Sequence, residues 1–160
     1  NLLGPNIEGE ILVRGDNVMR EYLDRPEETQ KTITPDGWLR TGDLGRMDED
    51  GFIFVTGRIK ELIIKGGENI APREIDEALL ENDAVLEAAA FARDCKDYGQ
   101  RVEACVRLKD GKTISEDALR DFCKERIGTY KTPDHIYFLP DLPKGPSGKV
   151  QRLKLLDLVS

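Results

Sequence analysis

Between Ile63 and Ile70 the chain reads Ile-Ile-Lys-Gly-Gly-Glu-Asn-Ile, two short runs parted by the pair Gly66-Gly67. Adjacent glycines let a backbone turn through conformations closed to residues with a Cβ. They also let another group approach with no side chain in the way. Upstream, the apolar run Phe52-Ile53-Phe54-Val55 leads to Gly57-Arg58, and a charged joint, Lys60-Glu61, follows. Two readings fit the stretch. One is a β-hairpin closed by a two-glycine turn. The other is a hinge followed by a strand whose bare backbone lies beside a ligand.

Before the joint, short strands alternate with turns. Glu8 to Arg14 alternate polar and apolar residues and exit at Gly15-Asp16-Asn17. Asp24 stands where an N-cap would start a short helix, with Glu27 and Glu28 in the first turn. Pro35-Asp36-Gly37 is a turn, Trp38 to Thr41 a short strand, Gly42 to Gly45 another turn, and Phe52 to Thr56 a further strand. After Lys60 the pattern changes. Pro72 suits the first turn of a helix carrying Ile75, Ala78 and Leu79 on one face. Val85 to Arg93 and Arg101 to Lys109 read as strands. Ser115 caps a helix whose face is Leu119, Phe122, Cys123 and Ile127, with Gly128 at its C-terminus. His135 to Leu139 is a short strand, and Leu153 to Leu158 a last helical turn or two. The expected fold is α+β: a small antiparallel β subdomain over residues 1–59, in the manner of a partial barrel, then a compact α+β domain over residues 60–160 with a small sheet covered by helices.

Charge narrows the function. The formal net charge of −7 lacks the basic stripe of a nucleic-acid binder, so no nucleic-acid partner is expected, although a local Lys/Arg cluster still suits a phosphate. Cys95, Cys105 and Cys123 have no C-x-x-C spacing, and with the single histidine, His135, they assemble no zinc site; no metal ligands are expected in the chain. The thiols read as reduced and mostly buried, which points to the cytoplasm. No apolar run approaches a membrane span. The first residue is Asn1 in an apparent loop, so the chain is expected to be a portion of a longer protein.

Several residues are candidates for chemistry. Asp43 in Thr41-Gly42-Asp43 is either a turn-stabilising residue or a carboxylate able to accept two hydroxyls of a ribose diol. Lys149 lies in the Pro/Gly loop Pro143-Lys144-Gly145-Pro146-Ser147-Gly148-Lys149, and is either solvated or carried into a site on another domain to meet a carboxylate or phosphate. The loop is no Walker-type phosphate loop: the glycine spacing is wrong, and Val150 stands where Ser or Thr is needed. Tyr98 and Tyr130, expected in loops, are either rim aromatics or platforms for a purine, the second with Lys131 beside it for a phosphate. His135 reads as a strand residue.

In this order the motifs resemble the C-terminal portion of the AMP-forming acyl- and aryl-CoA synthetases, the superfamily that includes luciferase and peptide-synthetase adenylation domains. The resemblance runs from Glu8 to Arg152. It rests on Gly9-Glu10-Ile11, Gly37-Trp38-Leu39-Arg40-Thr41-Gly42-Asp43, Thr56-Gly57-Arg58-Ile59-Lys60-Glu61, Lys65-Gly66-Gly67-Glu68-Asn69-Ile70, Pro72-Arg73-Glu74-Ile75-Asp76 and Leu142-Pro143-Lys144-Gly145-Pro146-Ser147-Gly148-Lys149.

The resemblance implies roles. Asp43 and Arg58 would hold the adenylate ribose, Lys60 would be the hinge between a large and a small domain, and Lys149 would meet the substrate carboxylate and α-phosphate during adenylation. Gly66 and Gly67 would line a pantetheine tunnel, with Tyr98 and Tyr130 near the CoA adenine. Lys131 would lie near its ribose phosphate, beside Thr132, where several members carry a basic residue. Residues 1–59 would be the last β subdomain of the large domain and residues 60–160 the mobile C-terminal domain. The implied function is that of an ATP-dependent carboxylate–CoA ligase: a carboxylic acid becomes an acyl-AMP with release of pyrophosphate, then an acyl-CoA. The implied ligands are ATP or AMP, coenzyme A and Mg2+, the metal held mainly by an upstream domain that also offers a homodimer contact. The alternatives are an adenylation domain that loads a carrier protein and a non-catalytic module that binds a nucleotide or CoA.

Overall fold

A computed structural model describes residues 2–159. The chain forms two compact units, the first ending at Lys60 and the second starting at Glu61.

The first unit is an antiparallel sheet of β1 (Gly9–Val13), β2 (Leu39–Met47) and β3 (Ile53–Arg58) in the order β1-β2-β3, with one short helix, α1 (Pro26–Thr32). The sheet is open, and no closed barrel forms among the described residues. Two local expectations fail. Asp24 does not cap α1: it sits at φ 57, and Arg25, which makes no side-chain cap, occupies the N-cap position. The following proline disfavours a helical conformation at Arg25, which stands at φ −132 and ψ 68, so the helix starts at Pro26 itself. The turn expected over Gly42 to Gly45 is instead the middle of β2. Gly42 (φ +72) bends the strand, and the register slips at Leu44/Gly45 in a bulge. Gly45 is small because a Cβ there would lie 2.7 Å from the Phe54 carbonyl oxygen. The pair of glycines thus accommodates a bulge, which keeps pairing on both sides of it.

The second unit is built on a long hairpin, β6 (Val85–Cys95) and β7 (Gly99–Leu108), paired in antiparallel fashion along its length. The other edge of β7 receives β4 (Ile63–Lys65) at Gly99 and β8 (His135–Phe138) from Glu103 to Val106. β5 (Glu68–Ile70) pairs β4 across the Gly66-Gly67 turn, with Lys65 opposite Glu68. The β7–β8 pair is parallel, which requires a crossover. Helix α3 (Glu116–Lys131) supplies it, its Ser115 hydroxyl accepting from the Ala118 amide at 3.2 Å.

Alternation along β6 and β7 gives the sheet two apolar faces. On one, Ala90, Val102, Ala104 and Val106 pack with α2 (Pro72–Leu80) and α3 through Ile75, Leu79, Leu119 and Cys123. On the other, Ala89, Phe91 and Cys105 are covered by Leu142 and by Leu155 of the short helix α4 (Leu155–Leu158). Cys105 and Cys123 are free and buried, and burial pushes each thiol up to about 11. Gly128 (φ 77, ψ 167) interrupts α3 without ending it. A further turn follows, closed by the Thr132 hydroxyl donating to the Gly128 carbonyl at 2.8 Å. Tyr130 and Lys131 therefore lie on the last turn of a helix and not in a loop. Among the described residues, no helix is long and apolar enough to cross a membrane.

Candidate functional site

In the first unit the ladder sets Asp43 of β2 directly opposite Arg58 of β3. The Arg58 Nε lies 3.0 Å from Asp43 Oδ1, and both side chains are partly exposed. Thr41 fixes the approach: its hydroxyl donates to the Ile11 carbonyl at 2.7 Å and accepts from the Asp43 amide at 3.0 Å. An exposed pair of this kind contributes about 0–1 kcal/mol to stability, so its value lies in orientation. A guanidinium has five N–H donors; with Nε on Asp43, donors remain for a ligand whose hydroxyls the carboxylate can accept. Arg58, Thr41 and Gly42 line an open cleft of about 420 Å³, with Tyr22, Lys31 and Lys60 around it.

In the second unit, Gly66 (φ +56) and Gly67 (φ +87) form the tight turn of the β4–β5 hairpin, as the first of the two sequence readings expects. Tyr98, in the turn between β6 and β7, accepts the Gly66 amide on its carbonyl at 2.8 Å. Tyr130 approaches from α3: a Cβ on Gly66 would lie 3.1 Å from its hydroxyl and 3.6 Å from Tyr98 Cδ1. Nothing lies within 4 Å of where a Gly67 Cβ would be. The bare turn therefore has the Tyr130 hydroxyl and the Tyr98 ring close to Gly66 and open space at Gly67, a shape that admits a narrow chain against the backbone. Burial, then Glu68 and Tyr98, push the Tyr130 phenol above its ordinary value, which keeps it a hydrogen-bond donor.

Lys65 completes this rim, and sequence reasoning gave it no role. Its ammonium donates to the Tyr130 carbonyl at 3.0 Å and lies 5.3 Å from the centre of the Tyr130 ring. The period-2 pattern was a usable signal, since Lys65 shares the inward face of β4 with the fully buried Ile63. Lys131 is turned away from the rim: its ammonium sits 2.7 Å from each carboxylate oxygen of Glu74 on α2.

Lys149 is exposed on a small loop. A bridge between Lys144 and Val150 closes the loop, and the Gly145 amide donates to the Lys149 carbonyl at 2.9 Å. Lys144 Nζ fixes the loop to β6 through Glu87 at 2.8 Å. The Gly66 turn lies beyond the other end of β6, where Cys95 faces Gly99. Cys95 lies eight positions along the strand from Glu87, which is roughly 26 Å at about 3.3 Å per residue. The structure thus groups Gly66, Gly67, Tyr98 and Tyr130 at one end of the hairpin and holds Lys149 toward the other.

Long-range ion pairs were missed by the sequence. Arg152, largely buried, reaches Asp76 on α2 at 2.7 Å, Glu61 at 3.2 Å and the Ala90 carbonyl. Burial raises the Asp76 carboxyl against the pull of Arg152 and the Ala90 amide. Burial also lowers the Arg152 guanidinium, but Asp76 and Glu61 outweigh it and hold it above its ordinary value. Glu103, fully buried, is held by Arg93 and Arg101, each at 2.6 Å. Among the described residues no group of three or more His, Cys, Asp or Glu side chains is arranged to hold a metal ion.

Residues 74–149 match the family model described as the AMP-binding enzyme C-terminal domain. Sulfoacetate–CoA ligase of Cupriavidus necator is 54% identical over 149 residues, 93% of this chain. The chain spans 29% of that ligase's length. Among solved structures, o-succinylbenzoate CoA synthetase from Bacillus subtilis in complex with its acyl-adenylate intermediate superposes at a TM-score of 0.87. It shows 40% identity over 96% of this chain and 31% of its own. The same enzyme in complex with ATP and a magnesium ion gives 0.88, at 40% identity over 98% and 32% of the two chains.

Proposed function

This chain belongs to the family of AMP-binding enzyme C-terminal domains, and we propose that it serves as the C-terminal portion of an ATP-dependent carboxylate–CoA ligase. The observation that carries the proposal is the placement of Lys149 and the Gly66-Gly67 turn toward opposite ends of one rigid hairpin. A lysine suited to one step and a bare backbone suited to another then take turns at a single reaction centre, which requires the unit to swing about a joint.

In the first step a substrate carboxylate oxygen attacks the α-phosphorus of ATP. The new C–O–P linkage forms as the Pα–O–Pβ bond breaks, and pyrophosphate leaves. Anions converge in this step, and the Lys149 ammonium, free of any ion pair among the described residues, offsets their repulsion. Asp43 accepts the ribose hydroxyls, and Arg58 holds Asp43 and donates to the ligand. In the second step the CoA thiol attacks the acyl carbon and AMP departs. The pantetheine arm then runs along Gly66 and Gly67, with the adenine end near Tyr98 and Tyr130 and a CoA phosphate drawing Lys131 from Glu74. Lys60, exposed in a 3-10 turn over Ile59–Glu61, is the hinge. Magnesium and the acyl pocket belong to the upstream domain that the longer relatives contain. The free thiols fit a reducing compartment such as the cytoplasm.

The test uses the full-length parent protein with ATP, magnesium and a panel of carboxylic acids, scoring acyl-CoA by mass spectrometry. Lys149→Ala should abolish overall synthesis yet still convert supplied acyl-adenylate and CoA. Full synthesis by the variant, or no thioester from any acid with the unaltered protein, rejects the reading and turns attention to carrier-protein loading.

A further inference from the structure

The joint at Lys60 is bordered on each side by a carboxylate–guanidinium contact. Before it, Arg58 is fixed by its ladder partner Asp43 at 3.0 Å. After it, Glu61 is fixed by Arg152 at 3.2 Å, and the two side chains are only 26% and 15% exposed. Arg152 is seated by more than this one contact: Asp76 holds its terminal nitrogens at 2.7 and 3.3 Å, and the Ala90 carbonyl accepts from it as well. Glu61 is therefore bound to α2 and β6 through one buried side chain, although it is the first residue of its unit. Between the two contacts stand Ile59 and Lys60, both exposed.

Arg152 is also three residues beyond Lys149. The Gln151 amide donates to the Pro143 carbonyl at 2.7 Å, so the base of the lysine loop is tied down next to Arg152. One guanidinium thus fastens the start of the second unit, its helix α2, its edge strand β6 and the foot of the lysine loop.

We propose that Glu61 and Arg152 form a positioning clamp that confines rotation at the joint to Ile59 and Lys60 and makes the Lys149 loop move as one body with the joint. The proposal rests on the ligase reading and its hinge at Lys60. Each residue contributes two soft backbone dihedrals, so the clamp holds the joint to about four; freeing Glu61 would raise this to about six. A joint with more freedom spreads the unit over more orientations and thins the population of each productive one. Asp76 keeps Arg152 paired when Glu61 is removed, so the folded unit survives the loss. Glu61 touches no substrate; its effect passes through Arg152 and the backbone.

The experiment compares the full-length protein with its Glu61→Ala and Glu61→Gln variants. A spin label on each unit gives the distance distribution between them. The adenylation step is followed as pyrophosphate release, and the thioester step from supplied acyl-adenylate and CoA. Glu61→Ala should broaden the distances and slow both steps by about ten- to a hundred-fold, as expected for displaced reacting groups. Glu61→Gln retains an oxygen acceptor for the Arg152 Nε and should keep distances and rates close to those of the unaltered protein. A thermal melt identifies loss of folding. Glu61→Ala with unaltered distances and rates overturns the clamp, as does a distribution in the unaltered protein as wide as that of Glu61→Ala. If no acid yields a thioester, the ligase reading fails, and the distance comparison still decides the clamp on its own.

Discussion

Lys65 and Tyr130 bind each other twice in reciprocal fashion. The Tyr130 hydroxyl donates to the Lys65 carbonyl, and the Lys65 ammonium donates to the Tyr130 carbonyl at 3.0 Å. The glycine turn is thereby latched to the end of α3. Tyr130→Phe removes one of the two bonds, and an intramolecular hydrogen bond of this kind is worth about 1 kcal/mol. The isolated variant should lose roughly that stability in a denaturant titration. In the full-length protein its KM for CoA should rise while pyrophosphate release stays unchanged.

The two turn glycines should respond differently to alanine. Gly66→Ala meets both a left-handed φ and the Tyr130 hydroxyl oxygen at 3.1 Å, so its cost should exceed the roughly 1–2 kcal/mol of the backbone conformation alone. Gly67→Ala has open space around the new methyl and should cost only that backbone strain. The methyl projects where the pantetheine arm is expected, so Gly67→Ala should slow thioester formation more than its loss of stability explains. Thermal melts alongside the two half-reactions separate these effects.

The pair between Lys131 and Glu74 competes with any phosphate for the same ammonium. Glu74→Gln should release Lys131, lower the KM for CoA and steepen its dependence on salt, since an unpaired cation near a surface is more open to screening. Lys131→Ala should raise the KM for CoA. A fall in KM in both variants would remove Lys131 from the phosphate contact.

Stability should decline under alkaline conditions through the two buried thiols. Cys105 and Cys123 are raised from 9.0 to about 11 by burial, with Glu103 adding to the effect at Cys105. A raised folded-state value means that the unfolded chain releases its proton first. The contribution is complete below pH 9 and is lost as pH rises toward 11. Its slope is at most about 1.4 kcal/mol per pH unit for each thiol. Denaturant titrations from pH 8 to 10.5 should show a steeper decline in the parent than in Cys105→Ala or Cys123→Ala. Parallel curves would refute the assignment.

The local signals of this fold were legible in proportion to how local their physics is. The glycine pair announced its hairpin, Ser115 its helix, and the apolar runs of β6 and β7 their burial on two faces. Asp43 was misplaced because Gly42 and Gly45 look like a turn in sequence. Their actual roles, bending a strand and clearing the Phe54 carbonyl, depend on strands that are distant in the chain. Tyr130 was misplaced because a glycine at φ 77 usually ends a helix, whereas here the Thr132 hydroxyl recovers another turn. The Arg152 contacts join residues 91 and 76 positions apart, and such pairs leave no periodic trace.

The second apolar face of the β6–β7 sheet has a consequence for biosynthesis. Phe91 and Cys105 find their cover in Leu142 and Leu155, which leave the ribosome long after both strands. Until then the nascent sheet presents a greasy surface and unpaired loop ends, a species prone to aggregation. The segment that shields it is the one bearing Lys149. The lysine loop therefore takes shape together with the cover of that face, and Lys149 is presented only once this half of the core has closed.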